Sequence, residues 1–325
     1  MGNSTFSPED TEDHQVPFPA LVAILSPMSL GTICGNLLVL ISIWTQPSLQ
    51  LPNFMAIGSL AMADLLVGVF AMPAYVIKKS PLVLGEFWEG FVCDVFRFSY
   101  FLSGYASILS LCIISIDRML TIRNPLTYHT LVTQYRVTVT LVVAWIDAIG
   151  ISVLPFLPTG VPQGLPCHYS PAGWWSIMVI VTNVVVPFVI IMLCYTDMYC
   201  TARGHLRRIQ THNTHSRQSS QDKRQRSGTR TISIVIGLFV ISWFPSCVYY
   251  FLKEVCDACY PPSFAPLEGI FNSLAKLMTF AGSFWNPLIY CWRSSEFRSA
   301  FLRILSRRKV RLRPIQSFSM VSRHQ

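Results

Sequence analysis

Hydrophobic residues in this chain fall in long unbroken runs, without the stripes that half-buried helices and strands of a soluble fold display. Seven such runs lie at roughly 20–44, 54–77, 94–121, 138–157, 174–200, 231–252 and 268–291. A helix needs about 20 apolar residues to cross the hydrocarbon core of a bilayer. Every backbone N–H and C=O there must bond internally, so only helices or a closed barrel can span it. A barrel would show alternating segments of about ten residues, and these runs are longer and continuous. The pattern predicts an all-α membrane protein, a seven-transmembrane helix bundle. After the seventh span, Phe297, Phe301 and Leu305 recur at i, i+4 and i+8 with basic residues between them. That spacing predicts a short amphipathic membrane-surface helix.

Composition strengthens the reading. Hydrophobic residues make up 52% of the chain and charged residues 13%, against about 25% charged in an ordinary soluble domain. The formal net charge of +9 does not point to nucleic acid, because the charges cluster between the apolar runs instead of spreading over a folded face. Basic residues crowd the 201–229 segment and the tail, whereas Glu9, Asp10, Glu12 and Asp13 precede the first span with no Lys or Arg. An excess of positive charge marks the cytoplasmic side. The amino terminus is therefore expected outside the plasma membrane, where Asn3-Ser4-Thr5 is a glycosylation acceptor. The expected division is an extracellular segment 1–19, the transmembrane domain 20–291 and a cytoplasmic tail 292–325. No cleavable signal peptide is visible, so the first span is expected to direct insertion.

Polar residues at membrane depth are costly and mark function. Span one holds Gly35-Asn36 and span two Asp64. Span three ends in Asp117-Arg118-Met119, span four holds Trp145, and span five holds Pro187 and Tyr195. Span six carries Phe239 and Ser242-Trp243-Phe244-Pro245, and span seven closes on Asn286-Pro287-Leu288-Ile289-Tyr290. In this order the set resembles the rhodopsin-like (class A) G-protein-coupled receptors, across about 20–305.

The resemblance implies a role for each residue. Arg118 would meet a heterotrimeric G protein when span six swings outward, with Asp117 holding it at rest and Leu126 offering an apolar knob to the G protein. Ile108, Pro187 and Phe239 would couple the pocket to that swing. Trp243 would form the pocket floor, Pro245 and Pro287 would let their helices bend, and Tyr195 and Tyr290 would join through water in the active state. Asp64, Ser107, Ser283 and Asn286 would hold a sodium ion. Gly282 replaces a frequent asparagine there, and a protonated Asp64 bonded to Asn36 and Asn286 is the alternative. No other cofactor is expected. Many relatives carry an acidic partner for the arginine at the start of span six, where this chain has Gln225, which implies appreciable ligand-free signalling. Arrestin and receptor kinases are implied partners beside membrane lipids. The family pattern pairs Cys93 with Cys167. Cys256-Asp257-Ala258-Cys259 reads as a second, small loop disulfide, because no second Cys-x-x-Cys accompanies it as a metal site would require.

The expected ligand pocket comprises Arg97, Tyr100, Gly104, Tyr169, Trp243, Cys247, Tyr250, Lys276 and Phe280. Tyr100 stands where amine receptors carry an aspartate, and Phe280 where opsins carry the retinal lysine. Arg97 and Lys276 above an aromatic lining suit an acidic or phosphate head. Alternatively, Arg97 pairs with Asp94 or Glu89, and Lys276 with Glu268 or Asp257. Asn124-Pro125-Leu126-Thr127-Tyr128-His129, the third-loop Cys-x-x-Cys and Phe264-Ala265-Pro266-Leu267 resemble adenosine receptors. Phe156-Leu157-Pro158-Thr159-Gly160-Val161-Pro162, Cys194-Tyr195-Thr196-Asp197-Met198 and Thr231-Ile232-Ser233-Ile234-Val235-Ile236-Gly237 resemble the glucose-dependent insulinotropic receptor, a lipid-amide and lysophospholipid sensor. Tyr250 and Phe280 replace the asparagine and histidine that read a nucleoside, and losing paired polar readers removes most discrimination. The expected ligand is amphipathic or lipid-like, relayed to the stimulatory, cyclic-AMP-raising class of G protein. A nucleoside receptor or a ligand-independent orphan is the alternative within the family. An enzyme would need a nucleophile and base, or clustered metal ligands, at membrane depth, and a transporter would show repeat symmetry. The sequence has neither.

Overall fold

The structure, a computed structural model, describes residues 16–82, 85–156, 177–178, 180–211, 234, 237–239, 241–249, 252 and 265–306, with side chains omitted at 86, 183, 202–211 and 265–267. Seven helices correspond to the seven apolar runs: α1 Phe18–Thr45, α2 Pro52–Lys78, which passes through a π-turn at Val67–Ala71, α3 Glu86–Arg123, α4 Gln134–Val153, α5 Val186–Thr211, α6 Gly237–Tyr249 and α7 Ala265–Arg293. A short helix α8, Ser295–Leu305, follows α7. No strand occurs among the described residues. Four helices, α1 to α4, are long and apolar enough by themselves to cross a membrane, and α5 and α6 contribute shorter apolar stretches.

Burial differs sharply between helices. In the most apolar stretch of α3, 72% of residues are buried, against 17% in α4. So α3 forms the axis of the bundle, and α4 turns Val139, Val142, Val143, Ile146 and Ile149 outward. A row of exposed branched hydrophobics would be a liability in water and is expected of a lipid-facing surface. Helix α1 does the same with Ile24, Leu30, Leu37 and Ile41.

Lipid supplies little hydrophobic drive between helices, so close packing and hydrogen bonds hold the bundle together. Gly35 lets Pro287 approach until an added Cβ would lie 2.9 Å from its ring, joining α1 to α7. Trp145 Nε1 donates to Ser59 Oγ at 2.9 Å, and Ser59 and Ser110 share a bond of 2.8 Å, which ties α2, α3 and α4. Ser246 Oγ donates to the Ala275 carbonyl and meets Thr279 Oγ1, both at 3.0 Å, between α6 and α7. The π-turn in α2 disturbs the regular ladder and is buttressed from α1, where Ser29 Oγ donates to the Gly68 carbonyl at 2.7 Å.

Helix α8 departs from the simple amphipathic expectation. Ser294 caps it by accepting from Phe297 N at 3.3 Å, as N-cap serines do. Phe297 and Phe301 are buried in the protein, with the Phe297 ring 5.3 Å from Tyr290 and 5.8 Å from Phe54. Leu302 and Leu305 face outward instead. The aromatic stripe clamps α8 to the bundle, and only the leucine edge is left for a lipid surface.

Candidate functional site

The residues singled out in the sequence gather along α3 in three tiers. The lowest, at the end of the bundle that carries α8, centres on Arg118. Asp117 Oδ2 lies 2.6 Å from Arg118 Nη2, and both residues are buried. This contact is not aligned as a hydrogen bond, so Coulomb attraction carries it. A third group holds the aspartate: Tyr128 Oη donates to Asp117 Oδ1 at 2.6 Å. Burial first, and then the neighbouring carboxylate, push the Tyr128 phenol far above the usual tyrosine range, so it stays a donor at physiological pH. Tyr128 opens a one-turn helix, Tyr128–Leu131, just after Leu126, which is 95% exposed. A second ion pair, Arg123 with Asp197 at 3.4 Å, links the end of α3 to the middle of α5. Tyr290 is buried and stacked on Phe297, while Tyr195 packs half-buried against the core.

The middle tier is polar. Asp64 is buried and accepts from Asn286 Nδ2 at 2.7 Å. Asn36 does not turn to Asp64. Its amide donates to the Thr32 carbonyl at 2.9 Å and to the Ser283 carbonyl at 3.3 Å. Ser107 and Ser283, both buried, join Asp64 in lining a cavity of about 10 Å³ that Ser103, Tyr100, Trp243, Thr279 and Phe280 close from above. That space is about what one water or a small ion requires. The Asp64 carboxylate and the Ser107 and Ser283 hydroxyls are oxygen donors of the kind a hard cation such as sodium takes, whereas Asn286 presents its amide nitrogen to Asp64 and does not line the cavity.

Above it lies an aromatic tier. Tyr100 stands 6.0 Å from Trp243 and 6.1 Å from Phe280, centroid to centroid, and Phe239 stacks on Trp243 at 5.6 Å. A Cβ at Gly104 would collide with Trp243, so glycine is what allows the indole to lie against α3. Ile108 and Phe239 are buried in one cluster, Phe188 stacks on Phe239, Pro187 is buried, and Pro245 and Cys247 are half-buried. Tyr75 and Phe96, which the sequence did not single out, complete the tier: Tyr75 lies 5.3 Å from Phe96 and 5.8 Å from Phe280, and Phe96 5.5 Å from Tyr100. Their spacing held the signal, since Phe96 and Tyr100 are four apart on one helix face.

The two cations expected above this tier part company. Arg97 pairs with Asp94 at 3.4 Å and lies 5.8 Å from the Phe156 ring, on the α4 side. Lys276 bonds Asn272 at 2.9 Å and sits over Tyr75 and Phe96. Glu268 accepts from Tyr249 at 2.8 Å. Cys93 is disulfide-bonded. Cys167, Tyr169, Gln225, Tyr250, Cys256, Cys259 and Asn3 lie outside the described residues.

A buried arginine–aspartate pair, a buried carboxylate and an aromatic tier that includes Trp243 thus lie along the axial helix α3. The family model for seven-transmembrane receptors of the rhodopsin family matches residues 35–290. This chain belongs to that family. The receptor is 29% identical to the human (Homo sapiens) alpha-1D adrenergic receptor over 340 residues, which cover 90% of this chain and 57% of that protein. The receptor thus spans little more than half the length of such relatives. It is 27% identical to the bovine (Bos taurus) adenosine receptor A3, over 86% of this chain and 87% of that one, and 27% identical to the bovine adenosine receptor A2b, over 88% and 89%. Membership makes it a multi-pass membrane protein of an all-α, seven-helix class.

Proposed function

We propose that this receptor, with its amino terminus outside the plasma membrane, binds an extracellular amphipathic or lipid-like ligand and passes the signal to a heterotrimeric G protein of the stimulatory class. The observation that carries the reading is the continuity of α3. It places Gly104 against Trp243 in the aromatic tier and, fourteen residues on, Arg118 against Asp117 at the other end. A ligand that moves Trp243 can thus be felt at Arg118 through one rigid element. The exposed Leu126 beside Tyr128 is available to the G protein, and arrestin and receptor kinases would meet the same face. Being a receptor by family, the chain is not read as an enzyme.

An aromatic tier with no buried carboxylate among its members suits an apolar ligand better than an amine. Tyr100 stands where an amine receptor would present its aspartate, despite the likeness to adrenergic receptors. A sodium ion at Asp64, Ser107, Ser283 and Asn286 would stabilise the resting arrangement by neutralising the buried carboxylate. The test is cyclic AMP in cells expressing the receptor or its Arg118→Ala variant at matched surface density, challenged with lipid amides, lysophospholipids, acidic lipids and nucleosides. The reading expects ligand-free output above mock-transfected cells, a saturable response to an amphiphile, and loss of both in Arg118→Ala. Output equal to mock with no response to any amphiphile would overturn it.

A nucleoside is the second reading, supported by end-to-end similarity to two adenosine receptors. A saturable response to adenosine in the same panel, with none to amphiphiles, would favour it.

A further inference from the structure

Helix α4 carries a carboxylate on its outer side. Asp147 stands midway along the apolar run 138–157, which places it near the middle of the bilayer. The inner side of α4 is taken by the buried Leu141, Ala148 and Ser152 and by Trp145, which bonds Ser59. Asp147 is exposed and meets no hydrogen-bond or ionic partner among the described residues. An ionisable group at this depth is costly and as a rule faces a partner. A proton would remove the charge but leave an O–H and a carbonyl oxygen still unsatisfied in hydrocarbon.

Its neighbours on the same face add a second observation. Val143, Asp147 and Gly150 follow each other at i, i+4 and i+7 and are all exposed, with Val139 and Ile146 exposed beside them. That 4-then-3 spacing is the stripe along which two helices pack at a shallow angle. A Cβ on Gly150 would meet nothing within 4 Å, so no crowding inside the bundle calls for glycine there. On an outer face, a missing side chain leaves room for another helix backbone to come close.

We infer that this stripe of α4 is the surface through which two copies of the receptor pair in the membrane, with Asp147 of each hydrogen-bonded to Asp147 of the other. Two copies inserted in the same direction can be related by a two-fold axis only if it runs along the membrane normal. Residues beside that axis then meet their own counterparts at one depth. A carboxylic acid is self-complementary in this setting: each protonated group donates its O–H to the carbonyl oxygen of the other, and both are satisfied. A foreign helix would have to bring a polar group to that same depth, whereas a second copy supplies it by symmetry. One turn to either side, Gly150 lets the two backbones approach and Val143 packs against its counterpart. The contact does not depend on which ligand the receptor binds.

The experiment follows energy transfer between donor- and acceptor-labelled copies of the full-length receptor in phosphatidylcholine vesicles as the protein-to-lipid ratio rises. Transfer is expected to saturate above the level of random proximity. Asp147→Leu is expected to weaken pairing by about five- to thirtyfold, the size of one interhelical hydrogen bond in a membrane. Asp147→Asn is expected to keep most of it, because an amide also donates and accepts reciprocally. Gly150→Leu should weaken pairing by holding the backbones apart, and Leu37→Trp, on the outer face of α1, should leave it unchanged. The unfolding midpoint of dilute, unpaired receptor is expected not to fall in Asp147→Leu, which separates lost pairing from misfolding. A fall there would give Asp147 a partner inside its own bundle and overturn the inference. Transfer no greater than random at every density would overturn it too, and leave the face to a foreign helix. Saturable pairing indifferent to Asp147→Leu would also overturn it, by placing the contact elsewhere.

Discussion

Tyr128→Phe isolates one restraint on the resting receptor. The substitution deletes a single oxygen, the donor that meets Asp117 at 2.6 Å, and leaves the ring in place. A hydrogen bond to a charged group contributes about 1.5–3 kcal/mol. Asp117 would keep Arg118 at 2.6 Å, and some water would reach the vacated position, so about 1.4 kcal/mol of net loss from the resting state is a fair expectation, or tenfold in the equilibrium. A receptor active for about 1% of the time would become active for roughly 10%. The assay is ligand-free second-messenger output, normalised to surface receptor, for wild type, Tyr128→Phe and Asp117→Asn. Because burial and Asp117 raise the phenol's ionisation from the usual value near 10, its contribution is fully present below that usual value and is lost only as pH rises from there toward the raised one. The ratio between Tyr128→Phe and wild type should therefore not vary between pH 6 and about pH 8.5. Unchanged output in Tyr128→Phe, alongside a clear rise in Asp117→Asn, would show that the loop tyrosine does not restrain the pair.

Gly104→Val should push Trp243 out of its seat and cost about 1–3 kcal/mol by overpacking, seen as a lower unfolding midpoint in purified receptor. Asn286→Leu removes the 2.7 Å donor to the buried Asp64 and leaves Ser283 as its remaining hydrogen-bonding neighbour. A loss of roughly 2–4 kcal/mol is expected, read as reduced surface expression, and Asp64→Asn in the same background should restore much of it. Ser294→Ala removes the cap on α8 and should cost about 1 kcal/mol, visible as faster hydrogen exchange at the first turn of that helix and nowhere else in the bundle.

The spans are legible because a water-soluble core has no place for seven continuous apolar runs of membrane length. Asp64 and Arg118 stand out on similar grounds, as charges at depths where charge is costly. Helix ends are less legible: α3 starts at Glu86 rather than near Asp94, because its first turns carry polar residues that a hydropathy reading assigns to a loop. The partners are legible only in part: Asp117 with Arg118, Asn286 with Asp64 and Arg97 with Asp94 are among the pairs that the sequence offers, but it does not choose between alternatives. Nothing in the sequence tells Asn36 to bond the backbone carbonyls of Thr32 and Ser283 rather than Asp64. Arg97 and Lys276 look equivalent by spacing, yet a near carboxylate three residues away draws Arg97 aside. Tyr75 escapes notice because a lone tyrosine in an apolar run reads as packing until its neighbours from α3 and α7 are known.

The π-turn at Val67–Ala71 has a consequence at the level of the gene. Such a turn accommodates one residue more than α-geometry needs, so loss of a single codon within it can be absorbed by relaxation to an ordinary helix. Asp64 below and Tyr75 and Lys78 above would keep their headings. Loss of one codon in the α-helical turns just before Tyr75 has no such slack and would swing both side chains by about 100°, off the face of Phe96. Comparison of this receptor with relatives that lack the turn must accordingly open a one-residue gap there, or every position from Met72 to Lys78 will be matched with its neighbour.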